Sequence, residues 1–259
     1  MVLSYLGLRR AIGISGLLLP VLLGPGGWLL FGIPIQDDMS SYYHTVLRDV
    51  FVGTIFAIGI FLFCYRGHDW VENWTANFGC FSALGIALFP IDYASAPPVQ
   101  HTTVGYLHTL SGGIFFVTLA FYSLIHFPRR TPDDDEPFEP DPRVPQQNLI
   151  YRTSGLIILS STLGMGVYLF LLSPDLRELC DRWNVLFWLE WIAIWSFASA
   201  WLTKGRVLGT SIALGVLEYV ENQLPPALRP SQIQQEMIER AAGKPVRRSQ
   251  SSHRPIDTE

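Results

Sequence analysis

Charged residues are scarce in this sequence. Charged residues make up 15% of the 259 positions and hydrophobic residues 49%, whereas a soluble domain carries roughly 25% charged residues. The few charges are also unevenly placed, because residues 133–136 and 229–259 hold many of them while long runs hold none. This composition predicts a protein whose main partner is the lipid bilayer. No basic stripe with interleaved aromatic residues occurs outside the apolar runs, so nothing supports nucleic-acid binding.

Cysteine is also scarce. Cys64, Cys80 and Cys180 show neither a CxxC pair nor the spacing of a zinc ribbon. A disulfide scaffold and a structural zinc site are therefore not expected. The three residues are interpreted as small apolar packing residues.

Long apolar runs, in contrast, are abundant. A bilayer core about 30 Å thick needs roughly 20 apolar residues per helix. The sequence predicts an all-α fold, a polytopic transmembrane helix bundle with six spans at residues 11–33, 46–65, 74–91, 104–127, 153–172 and 185–203.

The first span has a competing interpretation. Arg9 and Arg10 ahead of an apolar run also fit a secretory signal peptide, but no small-x-small cleavage site follows. An uncleaved helix is therefore favoured. We expect the GPGG stretch at residues 24–27 to kink it, because proline lacks a backbone donor.

The orientation of the spans follows from Lys and Arg near their ends, which accumulate on the cytoplasmic side. Nine basic residues fall on one side: Arg9, Arg10, Arg66, Arg129, Arg130, Arg143, Arg152, Lys204 and Arg206. Three fall on the other: Arg48, Arg177 and Arg182. Both termini are therefore predicted to be cytoplasmic.

Three segments lie outside the spans of the transmembrane domain, residues 1–205. The proline-rich acidic loop at residues 128–148 is expected to be an extended, solvated cytoplasmic linker. Residues 206–229 are expected to lie on the membrane surface, because their apolar run is too short to cross. Residues 230–259 are interpreted as a disordered cytoplasmic tail.

With this orientation, a set of polar residues falls at the external ends of the helices: Arg48, Asp49, Asp92, His108 and Glu190. A charge inside a span is costly unless it faces protein and has a partner. We therefore expect these residues to form one polar cluster, with Arg48 paired to Glu190 or Asp92 as a structural clasp. Near the opposite helix ends, Arg66, His68, Asp69, Glu72 and His126 are interpreted as ordinary boundary residues.

A second interpretation makes the external polar residues a site for a small molecule or an ion. His44, Asp49 and His108 are the candidate metal ligands, with zinc as the metal, and Asp49, His108 and Glu190 are the candidate catalytic residues. His101 and His108 cannot share an ion on a continuous helix, because seven residues separate them by about 10.5 Å along the axis. The sequence does not decide whether the chain is an enzyme.

Two resemblances bear on these alternatives. The strings YYHTVLRDVFVGTIFAIGIFLFCYRG, FSALGIALFP and SFASAWLTKG resemble a group of bacterial multi-pass membrane proteins known as a domain of unknown function. That resemblance covers residues 35–205 and implies a bacterial cytoplasmic membrane.

A more distant resemblance is to the CREST superfamily of membrane hydrolases and receptors. It is carried by Ser40 and His44, four residues apart, and by Asp49 after them. It implies a zinc-bound water and hydrolysis of a lipid or other amphiphile at the outer leaflet. The chain departs from the pattern in having six spans rather than seven, an early Asp49, and HTTVGYLH in place of HxxxH.

Overall fold

Helices make up the structure of the described residues, among which there is no strand. The computed structural model describes residues 5–67, 69–92, 102–129 and 144–207, and beyond these 215, 217–221, 223–225, 229 and 233. The α-helices of residues 5–207 are α1 Tyr5–Phe31, α2 Arg48–Cys64, α3 Trp70–Leu88, α4 Thr103–Phe121, α5 Val144–Phe170, α6 Pro174–Asp181 and α7 Val185–Lys204. A 3-10 turn, Ser40–His44, precedes α2, and a π-helical turn, Tyr122–His126, extends α4.

The six long helices pack side by side in a closed ring. Each of α1 to α4 packs against the next helix along the chain, and α7 packs against both α5 and α1. Successive members alternate in direction, so the starts of α1, α3 and α5 meet the ends of α2, α4 and α7. We call that end of the bundle the Arg9 end and the opposite end the Glu190 end.

The ring closes where α1 meets α7, along glycines of α1. A Cβ on Gly13 would lie 2.7 Å from Cγ of Leu202, and one on Gly16 would lie 3.0 Å from the ring of Phe197. Side chains there would force the two backbones apart. In lipid the hydrophobic effect does not drive helices together. They associate instead through close packing, which small residues allow.

The inside of the ring is filled by large side chains. Fully buried aromatic residues come from several helices and from the loops at both ends: Tyr42, Tyr65, Tyr122, Phe127, Phe187, Phe197 and Trp201. The described interior is therefore a packed core, and the polar groups buried among these rings must find partners within it.

Four of the helices are long and apolar enough to cross a membrane, namely Tyr5–Phe31, Thr103–His126, Pro145–Phe170 and Val185–Lys204. They indicate an integral membrane protein. The expectation of six spans is not confirmed. The 17 residues of α2 rise only about 26 Å, and α3 carries Glu72, Asn73 and Asn77 in its first half.

Several boundaries differ from the sequence prediction. Helix α1 begins at Tyr5, earlier than expected, and continues through Pro20 and Pro25. The kink expected at residues 24–27 stays a prediction. Helix α5 begins at Val144, inside the loop expected at 128–148.

The rest of that loop, residues 130–143, lies outside the described residues, as do half of the surface segment expected at 206–229 and nearly all of the tail expected at 230–259. The short helix α6 was not expected at all. Its eight residues are too few and too polar to stand out as an apolar run.

Candidate functional site

The predicted polar residues occupy the Glu190 end of the bundle, where one loop is bound along the start of α7. Asn184 adopts a left-handed conformation (φ 47°) immediately before α7, which Asn tolerates better than most residues. Its side-chain amide donates to the carbonyl of Ile35 at 3.2 Å. The backbone N–H of Phe187 donates to the carbonyl of Asp37 at 3.0 Å. The loop thus satisfies one of the amides that a helix start leaves unpaired.

Glu190 makes the third hydrogen bond of this arrangement. Its Oε2 accepts from the backbone N–H of Met39 at 2.6 Å, about 8 Å along α7 from its first residue. We call these three hydrogen bonds, between residues 35–39 and 184–190, the loop clasp. The sequence predicted the cation Arg48 as a partner of Glu190, whereas the partner of Glu190 in the loop clasp is a backbone amide.

Asp38 lies beside Glu190 and is buried. Its carboxylate accepts from the backbone N–H of Ser41 at 2.7 Å and from the Ser41 hydroxyl at 3.0 Å. Burial raises the pKa of Asp38, while the hydrogen bonds from Ser41 oppose that rise. Among the described residues no Lys or Arg forms an ion pair with either carboxyl group.

Arg48 has a different partner from the one expected. Its guanidinium donates to the hydroxyl of Tyr43 at 2.7 Å and lies 4.4 Å from the centre of that ring. It therefore pairs with neither Glu190 nor Asp92. Asp49 is exposed in the first turn of α2, where a negative charge suits the positive end of the helix dipole.

His108 and His44 both bind the chain where α3 ends. A carbonyl oxygen can only accept, so Nδ1 of His108 donates to Phe89 at 2.7 Å and Nε2 of His44 donates to Ile91 at 2.8 Å. His108 is buried and His44 is exposed. The two rings thus hydrogen-bond backbone carbonyls of the connection that follows α3.

Asp92 closes the following loop. Its two carboxylate oxygens accept from the backbone N–H of Thr102 at 2.9 Å and from the Thr102 hydroxyl at 2.5 Å. Thr102 in turn caps α4 by accepting from the N–H of Gly105. Asp92 therefore fixes the start of the helix that carries His108.

Four of the five predicted residues consequently have separate partners instead of forming one cluster, and the fifth, Asp49, is exposed. Glu190 binds the loop before α2, Arg48 binds Tyr43, and His108 and Asp92 bind the α3–α4 connection. Within the described ranges no three His, Cys, Asp or Glu side chains are grouped so that they could hold one metal ion. His101 lies outside those ranges.

A larger polar network lies at the Arg9 end, where only boundary residues were expected. The hydroxyl of Tyr65 donates to Oε1 of Glu72 at 2.9 Å, and Nη2 of Arg9 donates to the Tyr65 oxygen at 3.4 Å. The hydroxyl of Tyr122 donates to the backbone carbonyl of Glu72 at 3.0 Å. The side chains of Arg9, Tyr65, Glu72 and Tyr122 are all buried. They belong, in that order, to α1, to the residue after α2, to α3 and to the π-helical turn that extends α4.

His126 belongs to the same network and has a defined tautomer. The Thr75 hydroxyl donates to the carbonyl of Val71 at 2.7 Å, so its oxygen accepts from Nε2–H of His126 at 3.1 Å. Nδ1 of the buried ring then carries a lone pair without a hydrogen-bond partner. Nε of Arg9, Nε1 of Trp201 and the hydroxyl of Ser123 are likewise buried without a partner.

An exposed pair borders this network. Asp69 caps α3 by accepting from the N–H of Glu72 at 2.7 Å, and Arg129 pairs with it at 3.0 Å. The hydrogen bond from the backbone of Glu72 is the main cause that lowers the pKa of Asp69, and the positive charge of Arg129 lowers it further. The boundary interpretation thus holds for Asp69 but is wrong for Glu72 and His126.

The sequence contained a signal for the burial of Glu72. It lies four and seven residues before Ala76 and Gly79, so all three share one face of α3, and that face is buried. No comparable signal marked His126, because the π-helical turn shifts the helix phase after Phe121. Such turns often accompany functional sites.

Comparisons with protein-family models, with curated proteins and with solved structures find no match for the chain. No relative therefore supplies an activity for either end of the bundle.

Proposed function

We propose that the chain is a six-span integral membrane protein of the bacterial cytoplasmic membrane, with both termini in the cytoplasm. In this proposal the polar residues of the Glu190 end are structural. They hold the extracytoplasmic loops against the ends of the helices. The single observation that carries this structural role is the loop clasp between residues 35–39 and 184–190.

The position of α2 and α3 in the ring supports six spans. Both helices pack between α1 and α4, which are long and apolar enough to cross a membrane. A helix in that position shares the depth of its neighbours. The nine-to-three distribution of Lys and Arg favours a cytoplasmic Arg9 end, and the resemblance over residues 35–205 favours a bacterial membrane.

The hydrogen bonds at the Glu190 end support a structural role over a ligand site. Glu190, His44 and His108 each hydrogen-bond a backbone group of a loop or helix end. Side chains used in this way tie the connections to the bundle. The alternative, a metal-dependent hydrolase, needs His44, Asp49 and His108 around one zinc ion. It has less support, because Asp49 is exposed and no three His, Cys, Asp or Glu side chains of the described residues are grouped around one possible ion position.

Hydrogen–deuterium exchange of the protein in lipid nanodiscs tests the clasp. We expect Glu190→Ala to speed exchange in residues 34–47, because the amide of Met39 loses its acceptor. We expect His108→Ala to speed exchange near residues 86–92, because the carbonyl of Phe89 loses its donor and the end of α3 is no longer held by α4. The exposed Asp49→Ala is the matched control and should leave both regions unchanged.

Two results would contradict the proposal. One is unchanged exchange in both variants. The other is stoichiometric zinc in carefully purified protein that is lost in His108→Ala, which would favour the hydrolase.

A further inference from the structure

The short helix α6 carries an apolar face that the rest of the described protein does not cover. It connects α5 to α7 at the Glu190 end and spans Pro174–Asp181. The exposed fractions are 54% for Leu176, 52% for Leu179 and 73% for Trp183, which follows the helix. Large apolar side chains so exposed, side by side, mark an interaction surface.

The opposite face of α6 holds it against the bundle. Arg177 donates to the carbonyls of Tyr168 and Leu169 at 3.4 and 3.3 Å, near the end of α5. Asp181, one turn later, accepts from the hydroxyl of Tyr168. Because successive residues turn by about 100°, Leu176, Leu179 and Trp183 point roughly away from this contact.

Three further residues of the segment form a polar flank between these two faces. Asp175, Glu178 and Arg182 are exposed, and Glu178 pairs with Arg182 at 2.8 Å. The helix therefore has one side toward protein, one toward water and one that is apolar. That division is typical of a helix lying at a membrane surface.

The chain connections set the level of α6. Helix α5 ends at Phe170, four residues before α6 begins, and α7 begins at Val185, four residues after α6 ends. Both neighbours are long and apolar enough to cross a membrane. Linkers this short keep α6 at the depth where those helices leave the bilayer, so lipid covers its outer face.

We propose that α6 is an interfacial helix, with Leu176, Leu179 and Trp183 inserted into the leaflet at the Glu190 end. Trp183 suits this place because its ring is apolar while its N–H stays wet. The partner of this apolar face is the acyl-chain region of the lipid, and not the charge of the lipid headgroups. The exposed flank has two acidic residues and one basic residue, which gives no attraction for anionic lipid. The inference needs only α5 and α7 to span, so it does not depend on six spans or on the orientation.

Spin-label accessibility tests the proposal in the full-length protein in phosphatidylcholine bilayers. The background is Cys64→Ser with Cys180→Ser, keeping Cys80 because it is only 2% exposed. Single cysteines are placed on the apolar face by Leu176→Cys, Leu179→Cys and Trp183→Cys. The matched controls on the polar flank are Asp175→Cys, Glu178→Cys and Arg182→Cys. Variants that elute like the parent on a sizing column are compared.

We expect labels on the apolar face to collide with oxygen several-fold more, relative to a water-soluble nickel complex, than labels on the polar flank. Adding phosphatidylglycerol should not change this ratio. Strong nickel collision at 176 and 179 would show a water-exposed face and overturn the proposal. Weak collision with both reagents would show that a second protein chain covers the face, which also overturns it. An apolar-face signal that requires phosphatidylglycerol would overturn the acyl partner.

Discussion

Single residues of this protein perform tasks that their charge alone would not suggest. Glu190 is the clearest case, because its buried carboxylate binds a backbone amide while the nearest charged neighbour is another acid, Asp38. Two neighbouring buried carboxyl groups without a cation favour a state in which at least one holds a proton. The stability of this corner should therefore depend on pH.

We expect Asp38→Asn to reduce the loss of stability as pH rises. Burial raises the folded-state pKa of Asp38 above its unfolded value of about 3.9. Its stabilising contribution is thus complete below about pH 4 and is lost as pH rises through the folded-state pKa. The measurement is the thermal unfolding midpoint in detergent micelles from about pH 4 to pH 8. The exposed Asp175→Asn serves as the control, and parallel curves for Asp38→Asn and the parent would contradict the prediction.

At the Arg9 end, the hydroxyl group of Tyr65 is the group to test. Tyr65→Phe removes the donor to the buried Glu72 carboxylate, and the loss of a hydrogen bond to a charged group costs about 1.5–3 kcal/mol. Tyr106→Phe, on a side chain 52% exposed, should cost little. Denaturant unfolding followed by circular dichroism compares the two, and equal stability would mean that the network contributes nothing.

The helices show which parts of the fold a sequence of this kind reveals. Each of the six predicted spans overlaps a helix, because a long apolar run has few other structures available to it in lipid. Helix α6 escaped notice because half of its few residues are polar. The π-helical turn Tyr122–His126 escaped because one extra residue in a turn leaves no mark in composition.

The candidate site was only partly predictable for a related reason. The burial of a carboxylate at Glu190 follows from its place inside an apolar run, but its partner is the N–H of Met39, which every residue type except proline carries. Glu72 and His126 were misjudged because they lie at the ends of their helices. Helix ends are exposed in most bundles, yet here two connecting residues, Tyr65 and Phe127, fold inward over them.

Packing between α5 and the π-helical turn gives a prediction for these elements. A Cβ on Gly155 would lie 2.5 Å from Cγ of Leu124 and 3.2 Å from its backbone N, so Gly155→Ala should cost about 1–3 kcal/mol through overpacking. In the same helix, Gly166 has open space around it. Gly166→Ala should be neutral or should stabilise by up to about 1 kcal/mol. Unfolding midpoints of the two variants provide the comparison, and equal losses would contradict it.

At the scale of the whole molecule, the orientation of the six-helix ring in the membrane can be measured. With both termini cytoplasmic, a fluorescent protein fused after residue 140 or at the C-terminus should fluoresce, since it folds in the cytoplasm. Alkaline phosphatase fused after residue 36 or residue 96 should be active, since it needs the periplasm. Phosphatase activity at residue 140 would overturn the proposed topology.

Ring closure also dictates an order of events during synthesis. Helix α1 leaves the ribosome first and α7 last, yet the two pack together along Gly13 and Gly16, and Nε of Arg10 donates to the carbonyl of Gly205 at 2.8 Å. Until nearly 200 residues have been translated, those glycines lack their packing partner in α7. The ring can therefore close only after α7, the last of its six helices, has been inserted beside α1.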